Sequence, residues 1–243
     1  INNPRFLAAM TPVLQAGLKV ITKQNKQGIL KPRPFLRAVV GDLADRHLIN
    51  IAPEALTRRY GGLNTAKNER MRVIFYPGCA VTLIYTDWGE AIIELLLHYG
   101  ISVYVPKVNK CCGIPSATMG ELETFKSQVE ANLDWFDAIH DADTVITCCP
   151  TCEYGLTDMG QTATSRKKSK RFVDIIIFLE EVIGDELPRD IPLEGRTTLH
   201  IPCHYDHKKD SMLKAFIRRH FDTDYHDMAN QNCCGFGGAF NLK

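Results

Sequence analysis

Apolar positions set the first expectations. Phe6, Leu7, Met10, Val13, Leu14 and Leu18 recur at three- and four-residue intervals, which predicts an amphipathic helix from about Pro4 to Ile21. Pro32 and Pro34 hold the chain extended before a second helical stretch over Phe35–Asp45. Residues 46–70, with Gly61-Gly62 and a Lys/Asn/Glu/Arg cluster, read as a linker. Short β-branched and aromatic runs then alternate with amphipathic ones. Strands are predicted at Arg72–Tyr76, Ile101–Val105, Thr144–Thr147 and Thr197–Ile201. Helices are predicted at Asp87–Tyr99, Glu121–His140, Val173–Ile183 and Ser211–His220. Trp88, Ile92, Leu95, Leu96 and Tyr99 form the apolar side of the first of these, with Gly100 as its C-terminal cap. Trp88 and Trp135 are read as core residues, and Ser165–Arg171 as an exposed basic loop.

Strand–helix–strand alternation implies parallel sheets with crossover helices. The fold class is therefore α/β, with two tandem pseudo-repeated modules preceded by a helical N-terminal segment. The divisions fall at 1–70 for that segment and linker, 71–190 for the first module and 191–243 for the second. In parallel sheets ligands gather beyond the carboxyl ends of the strands. The first module's cysteines fall at or near those ends.

The cysteines give the functional signal. They run C-x31-C-C-G-x35-C-x-x-C from Cys79 through Cys111-Cys112-Gly113 to Cys149-Pro150-Thr151-Cys152. A second frame starts at Cys203 and reaches Cys233-Cys234-Gly235 after 29 residues, without a following C-x-x-C before Lys243. Thiolates are soft ligands suited to iron–sulfur clusters, zinc and copper(I). Adjacent cysteines converge on one centre only from an irregular loop, which Gly113 and Gly235 provide. Five thiolates exceed what tetrahedral zinc needs and suit a polynuclear iron–sulfur centre. Nine cysteines clustered by motif in a 243-residue chain argue for metal chemistry in a reducing compartment over a disulfide scaffold. Cys148, beside Cys149, is read as a small core residue rather than a sixth ligand. His204, next to Cys203, is read evenly as a surface histidine or as a group that hydrogen-bonds sulfur or relays protons.

Charge narrows the field further. A formal net charge of +1 gives no case for nucleic acid. Residues 1–41 lack Asp and Glu but carry Arg5, Lys19, Lys23, Lys26, Lys31, Arg33 and Arg37. This reads as the solvated face of a packing helix; the sharper alternative is a docking surface for an acidic partner or an anionic membrane face. No apolar run is long enough to span a bilayer, and no signal peptide is visible. A cytoplasmic location is expected, with peripheral contact at the inner membrane face as its variant.

The motifs Pro77-Gly78-Cys79, Cys111-Cys112-Gly113, Cys149-Pro150-Thr151-Cys152, Pro202-Cys203-His204 and Cys233-Cys234-Gly235 stand in the order found in the cysteine-rich CCG domain family. The chain resembles that family over residues 71–243. Its members include the cysteine-rich component of heterodisulfide reductase, iron–sulfur components of glycolate and lactate oxidation systems, and a component of anaerobic glycerol-3-phosphate dehydrogenase. The resemblance implies that Cys79, Cys111, Cys112, Cys149 and Cys152 hold a [4Fe-4S] cluster of noncubane form. Cys203, Cys233 and Cys234 match the second module as far as it goes, for a second cluster or zinc.

Three functions follow. The first is an electron-transfer role between a flavoprotein dehydrogenase and a quinone or other carrier. The partners implied by resemblance are the flavoprotein and a ferredoxin-like or membrane electron carrier. No G-x-G-x-x-G follows the strands, so the organic substrate is expected on the partner. The second is a disulfide reductase whose cluster is itself catalytic, and the third is a zinc-stabilised scaffold.

Overall fold

A computed structural model describes residues 4–24, 30–34, 50–205, 207–230 and 232. Helix α1 spans Pro4–Ile21 and leads into an antiparallel hairpin of β1 (Thr22–Gln24) and β2 (Leu30–Pro32), in which Thr22 faces Pro32. The helix expected over Phe35–Asp45 lies outside the described residues. After it come α2 (Leu56–Tyr60), β3 (Gly62–Asn64), β4 (Met71–Tyr76), α3 (Gly78–Leu83), α4 (Thr86–His98) and β5 (Ile101–Val105). Next are α5 (Ile114–Thr118), α6 (Leu122–Asp137), β6 (Thr144–Thr147), α7 (Pro150–Leu156), α8 (Asp158–Thr164), β7 (Arg171–Asp174) and α9 (Ile175–Ile183). The described chain closes with β8 (Ile191–Thr197), a 3-10 turn at His207–Lys209, α10 (Asp210–His220) and β9 (Phe221–Tyr225). These are the alternating elements of an α/β fold, with a helical N-terminal segment.

Two compact units divide the chain. The first holds the described residues up to Met71 together with Pro77–Cys111; the second holds Arg72–Tyr76 and the described residues from Cys112 onward. In the first unit β3 and β5 pair antiparallel, Leu63 opposite Tyr104. The buried face of α4 is Gly89, Ile93 and Leu96; of the expected Trp88, Ile92, Leu95, Leu96 and Tyr99, Leu96 lies on it and the others are turned one position away. Gly89 sets this rotation: a Cβ there would come within 2.3 Å of Leu56 Cδ2, so the helix presents its smallest residue to α2. Trp88 is consequently not a core residue; it is 57% exposed and stacks on Tyr85. Gly100 takes φ +78 just after α4, the left-handed C-terminal turn its sequence position suggested. The stretch read as a linker holds α2 and β3, with the Arg59 guanidinium and the Tyr60 hydroxyl both donating to Glu90 of α4. On α1, Val13, Leu14, Val20 and Ile21 are exposed, so its apolar stripe is not core among the described residues.

In the second unit β6 lies between β4 and β7, parallel to both: Phe75 faces Ile146, and Val145 faces Phe172. Val73–Tyr76, Val145 and Ile146 are fully or almost fully buried, as are Phe125, Val129, Leu133 and Phe136 of α6. The Phe136 ring meets Tyr76 and Phe172 edge-on at 5.8 and 5.5 Å, contacts worth about 1 kcal/mol each beyond the burial. Strand β7 differs from expectation. Phe172, Val173 and Asp174 continue an apolar run into α9 without a break, and periodicity alone joins them to the helix predicted over Val173–Ile183. The basic stretch before β7 is tied down more than the loop reading implied. The Arg166 guanidinium bridges Asp134 and Asp137, and the buried Lys170 ammonium donates to the Ile139 and Ala142 carbonyls, both at 2.7 Å. β8 pairs parallel with β9, but it ends at Thr197 where the sequence suggested it begins.

Asp174 separates β7 from α9. Its Oδ1 accepts the Ile176 N–H at 2.8 Å, the N-cap bond that lets the helix start against the sheet. Burial pushes its carboxyl up to about 6; the Ile176 N–H opposes this, Glu153 adds to it and Lys209 counters. A carboxyl whose folded pKa lies above its unfolded value holds its proton more tightly when folded, so stability falls as pH rises from about 4 to about 6. The full effect is on the order of 3 kcal/mol. Asp174→Asn keeps the cap acceptor and removes the titration. In urea denaturation at stepped pH, the variant is expected to gain on the wild type between about pH 4 and 6 and hold that gain at neutral pH. A pH-independent difference would contradict the assignment.

Candidate metal centre

β4 ends at Tyr76, and Pro77 with Gly78 (φ +66) turns the chain directly into α3. Cys79 is the second residue of that helix and is exposed. Cys111 and Cys112 lie on the irregular segment after β5, both buried. Gly113 follows with φ +93, and a Cβ there would stand 2.5 Å from Phe125 Cδ2. Only glycine satisfies both demands, which is why the Cys-Cys pair is followed by it. β6 ends at Thr147, and Cys149 becomes the residue preceding α7, with Pro150 at the first helical position. Its N–H donates to Thr147 Oγ1 at 3.3 Å, and its carbonyl accepts from the Cys152 and Glu153 N–H groups at 2.9 and 3.1 Å. One helical turn therefore carries Cys152 round beside Cys149.

Three sulfurs meet here. The Cys152 thiol is hydrogen-bonded to the sulfurs of both Cys112 and Cys149, and these bonds, with burial, hold its pKa well above the ordinary thiol value. Cys149 goes the other way. The Cys152 thiol, the N–H groups of Cys152 and Thr151 and the Thr151 hydroxyl all point to its sulfur and bring it down to about 6 against the cost of burial. This is the microenvironment of a ready thiolate at the start of a helix. Its neighbour Cys148 is pushed up to about 12 by burial, reinforced by Cys149 and Asp174, and stays a thiol. Two adjacent cysteines are thus sorted into different protonation states by their surroundings.

Of the predicted ligands, the structure brings Cys112, Cys149 and Cys152 together in the second unit. Cys79 and Cys111 belong to the first unit. Cys203 is exposed in the second unit, and Cys233 and Cys234 lie outside the described residues. None of the described cysteines is joined in a disulfide. No group of three or more His, Cys, Asp or Glu side chains among the described residues stands in metal-ion geometry. Cys152 is hydrogen-bonded to Cys112 and Cys149, and a metal held by these thiols would displace their protons. The donor set is soft, one member is already poised as thiolate, and N–H groups stand ready to stabilise its charge. Gly155 permits close packing of α7 on the Cys-Cys-Gly loop, since a Cβ there would lie 3.3 Å from the Cys112 carbonyl oxygen. These features fit a thiolate-held inorganic group.

Sequence reasoning passed over Thr151, the variable position inside Cys149-Pro150-Thr151-Cys152. Nothing in the pattern marks its hydroxyl as a sulfur donor; only the helix geometry does. His204 is a site neighbour: its Nδ1 lies 3.1 Å from Thr151 Oγ1, and its ring stacks on Tyr154. His98, His140 and His226 are exposed, and the buried His220 bonds the Pro188 carbonyl and Glu180.

The contrast between Cys148 and Cys149 is measurable in metal-free, reduced protein. Cys149 is expected to react with iodoacetamide at a rate that climbs as pH passes about 6 and then levels. Cys148 is expected to stay unlabelled well into the alkaline range, because its thiol ionises only at about 12. Peptide mass spectrometry over a pH series resolves the two, and equal labelling would contradict the sorting.

The sequence profile of the CCG cysteine-rich domain matches residues 73–157 and 197–243. An uncharacterised iron–sulfur protein of Methanocaldococcus jannaschii is 30% identical over 76% of this chain and 36% of its own length. Lactate utilization protein A of Geobacillus kaustophilus is 30% identical over 71% of this chain and 75% of its own. One of the subunits of fumarate reductase (CoM/CoB) from Methanothermobacter marburgensis is 30% identical over 72% of this chain and 35% of its own. The chain thus spans about a third of the length of the methanogen relatives it matches. No solved structure matches it. Its two profile-matched segments carry the cysteine frames described above, and the chain belongs to the CCG cysteine-rich domain family.

Proposed function

We propose that this chain is an iron–sulfur electron-transfer component of an oxidoreductase complex, working between a flavoprotein dehydrogenase and a quinone or other carrier. Cys79, Cys111, Cys112, Cys149 and Cys152 are its cluster ligands, and Cys203, Cys233 and Cys234 serve a second centre, one in each module. A bound cluster supplies one-electron exchange with little reorganisation. The chain's own residues gather the thiolates, keep them from water and neutralise their charge.

One observation carries this reading: three thiols from two distant stretches meet in the second unit, with a helix start and a hydroxyl already directed at one of them. The names of the relatives point the same way, since they describe iron–sulfur, lactate-utilising and fumarate-reducing proteins. The cysteine frames repeat across residues 71–190 and 191–243, which supports two modules in tandem. No helix among the described residues is long and apolar enough to cross a membrane. Electron exchange with a quinone is therefore assigned to a partner, a ferredoxin-like or membrane electron carrier.

Anaerobic purification followed by iron, sulfide and zinc quantitation tests the assignment. The expected result is about four iron atoms with matching sulfide at the first centre, and an EPR signal that Cys112→Ser and Cys149→Ser each abolish. A flavoprotein is expected to co-purify, and turnover is expected only in its presence. Zinc without iron would overturn the redox assignment. Disulfide reduction by the isolated, reduced chain would replace electron transfer with catalysis at the cluster.

A further inference from the structure

Two helices of the first unit each turn an apolar face to water. α1 packs by its polar side: Thr11 is fully buried, and Gln15 and Leu18 are half-buried. Its apolar arc lies elsewhere, with Val13 58% and Val20 68% exposed and Leu14 and Ile21 exposed beside them. α4 buries Gly89, Ile93 and Leu96, which leaves it a second apolar stripe. Trp88 and the Tyr85 stacked on it are exposed, ring centres 4.5 Å apart, and Ile92 and Leu95 continue the line half-buried. Single exposed apolar side chains are ordinary, whereas a contiguous row marks an interaction surface. Neither helix covers the other within one copy, since Val13, Val20, Tyr85 and Trp88 are all exposed together.

The two faces match in spacing, shape and charge. Met10, Val13, Gly17 and Val20 follow one another at intervals of three, four and three residues, and Tyr85, Trp88, Ile92 and Leu95 repeat those intervals. Each helix therefore offers one straight row of the same length. Laid antiparallel, the rows set Met10 against Leu95, Val13 against Ile92, Gly17 against Trp88 and Val20 against Tyr85. A Cβ on Gly17 would meet nothing within 4 Å, so α1 has an open notch where α4 has its largest exposed ring. The antiparallel arrangement also opposes the two helix dipoles. Residues 4–24 carry Arg5, Lys19 and Lys23 and no acidic residue, whereas α4 carries Asp87, Glu90 and Glu94 and no Lys or Arg. Glu90 is engaged by Arg59, but Asp87 and Glu94 are exposed, as are Lys19 and Lys23.

We propose that the α4 stripe is the docking site for α1 of a second copy of this chain. Each copy carries both faces, so the exchange is reciprocal and closes as a two-fold dimer. Pairing α1 with α1, or α4 with α4, would oppose like charges, and the crossed pairing avoids this. Assembly is expected with or without bound metal, so the iron–sulfur reading can fail without it.

Sedimentation equilibrium of the whole chain from about 1 to 100 μM is expected to show a monomer–dimer equilibrium. With Trp135→Phe leaving Trp88 as the only indole, its emission is expected to move to the blue as the dimer forms. Dilution or high salt is expected to return it to the red. Gly17→Leu adds a side chain where the single copy has open space, and Trp88→Ala removes one that the single copy exposes. Each is expected to weaken the dimer about tenfold or more with an unchanged circular dichroism spectrum. Combining the two is expected to give tighter association than Gly17→Leu alone, because the truncated ring makes room for the leucine. A monomer throughout the range, or a dimer indifferent to both substitutions, overturns the proposal. So does a monomer with blue-shifted Trp88 emission, in which the chain's own α1 covers the stripe. Blue-shifted Trp88 emission that requires vesicles of anionic phospholipid assigns the face to a membrane and overturns it equally.

Discussion

A buried thiol between two other sulfurs is a costly arrangement unless something requires it. Cys152 occupies that place, hydrogen-bonded to Cys112 and Cys149, and much of the second unit is arranged to bring the three together. The parallel pairing of β4, β6 and β7 stacks the strand ends on one side. Strand β6 ends two residues before Cys149, and one turn of α7 then supplies Cys152. Gly113 lets the Cys-Cys segment turn against Phe125, and Gly155 lets α7 approach it. If the sheet register slipped by one residue, the alternation of its faces would reverse and the thiols would separate.

Protonation is distributed as carefully as position. The same short segment holds Cys148 as a thiol and Cys149 as a near-neutral-pH thiolate, because burial outweighs the single backbone N–H at Cys148 while Cys149 collects several donors. Burial alone would raise both. Cys149 differs in preceding a helix whose first N–H groups and Thr151 hydroxyl point at it. Asp174, lifted by burial beside Glu153 and Lys209, adds a negative influence on Cys148 and so widens the gap. A metal bound here would meet one sulfur already ionised and would displace protons from the others.

Much of this is legible in the chain's residues, and the exceptions have physical causes. Strands bounded by a change of composition are found where expected: Ile101–Val105 and Thr144–Thr147 coincide with the observed strands, and α1 with its predicted helix. β7 is hidden because Phe172 to Ile183 is apolar almost throughout, and only the Asp174 cap marks the junction. Trp88 is misplaced by hydrophobicity, which ranks it above Gly89, while packing against Leu56 selects the smaller residue. The cysteine frame makes a soft-metal site a candidate from spacing. The division of labour within it is invisible there, since it depends on which backbone N–H groups a helix leaves unpaired and on a hydroxyl at a position the motif leaves open.

The Ser165–Arg171 stretch carries a consequence of a different kind. Arg166 is engaged by two aspartates and Lys170 is buried against backbone carbonyls, while Lys167 and Lys168 lie between them, both exposed. A trypsin-like protease would therefore nick the chain at that dilysine and spare its flanks. The fragments would stay joined through the β6–β7 ladder and the anchored Lys170, leaving Cys112, Cys149 and Cys152 on one piece and Cys203 on the other. A split pair co-expressed from that junction would be a means of loading, labelling or replacing each cysteine module separately.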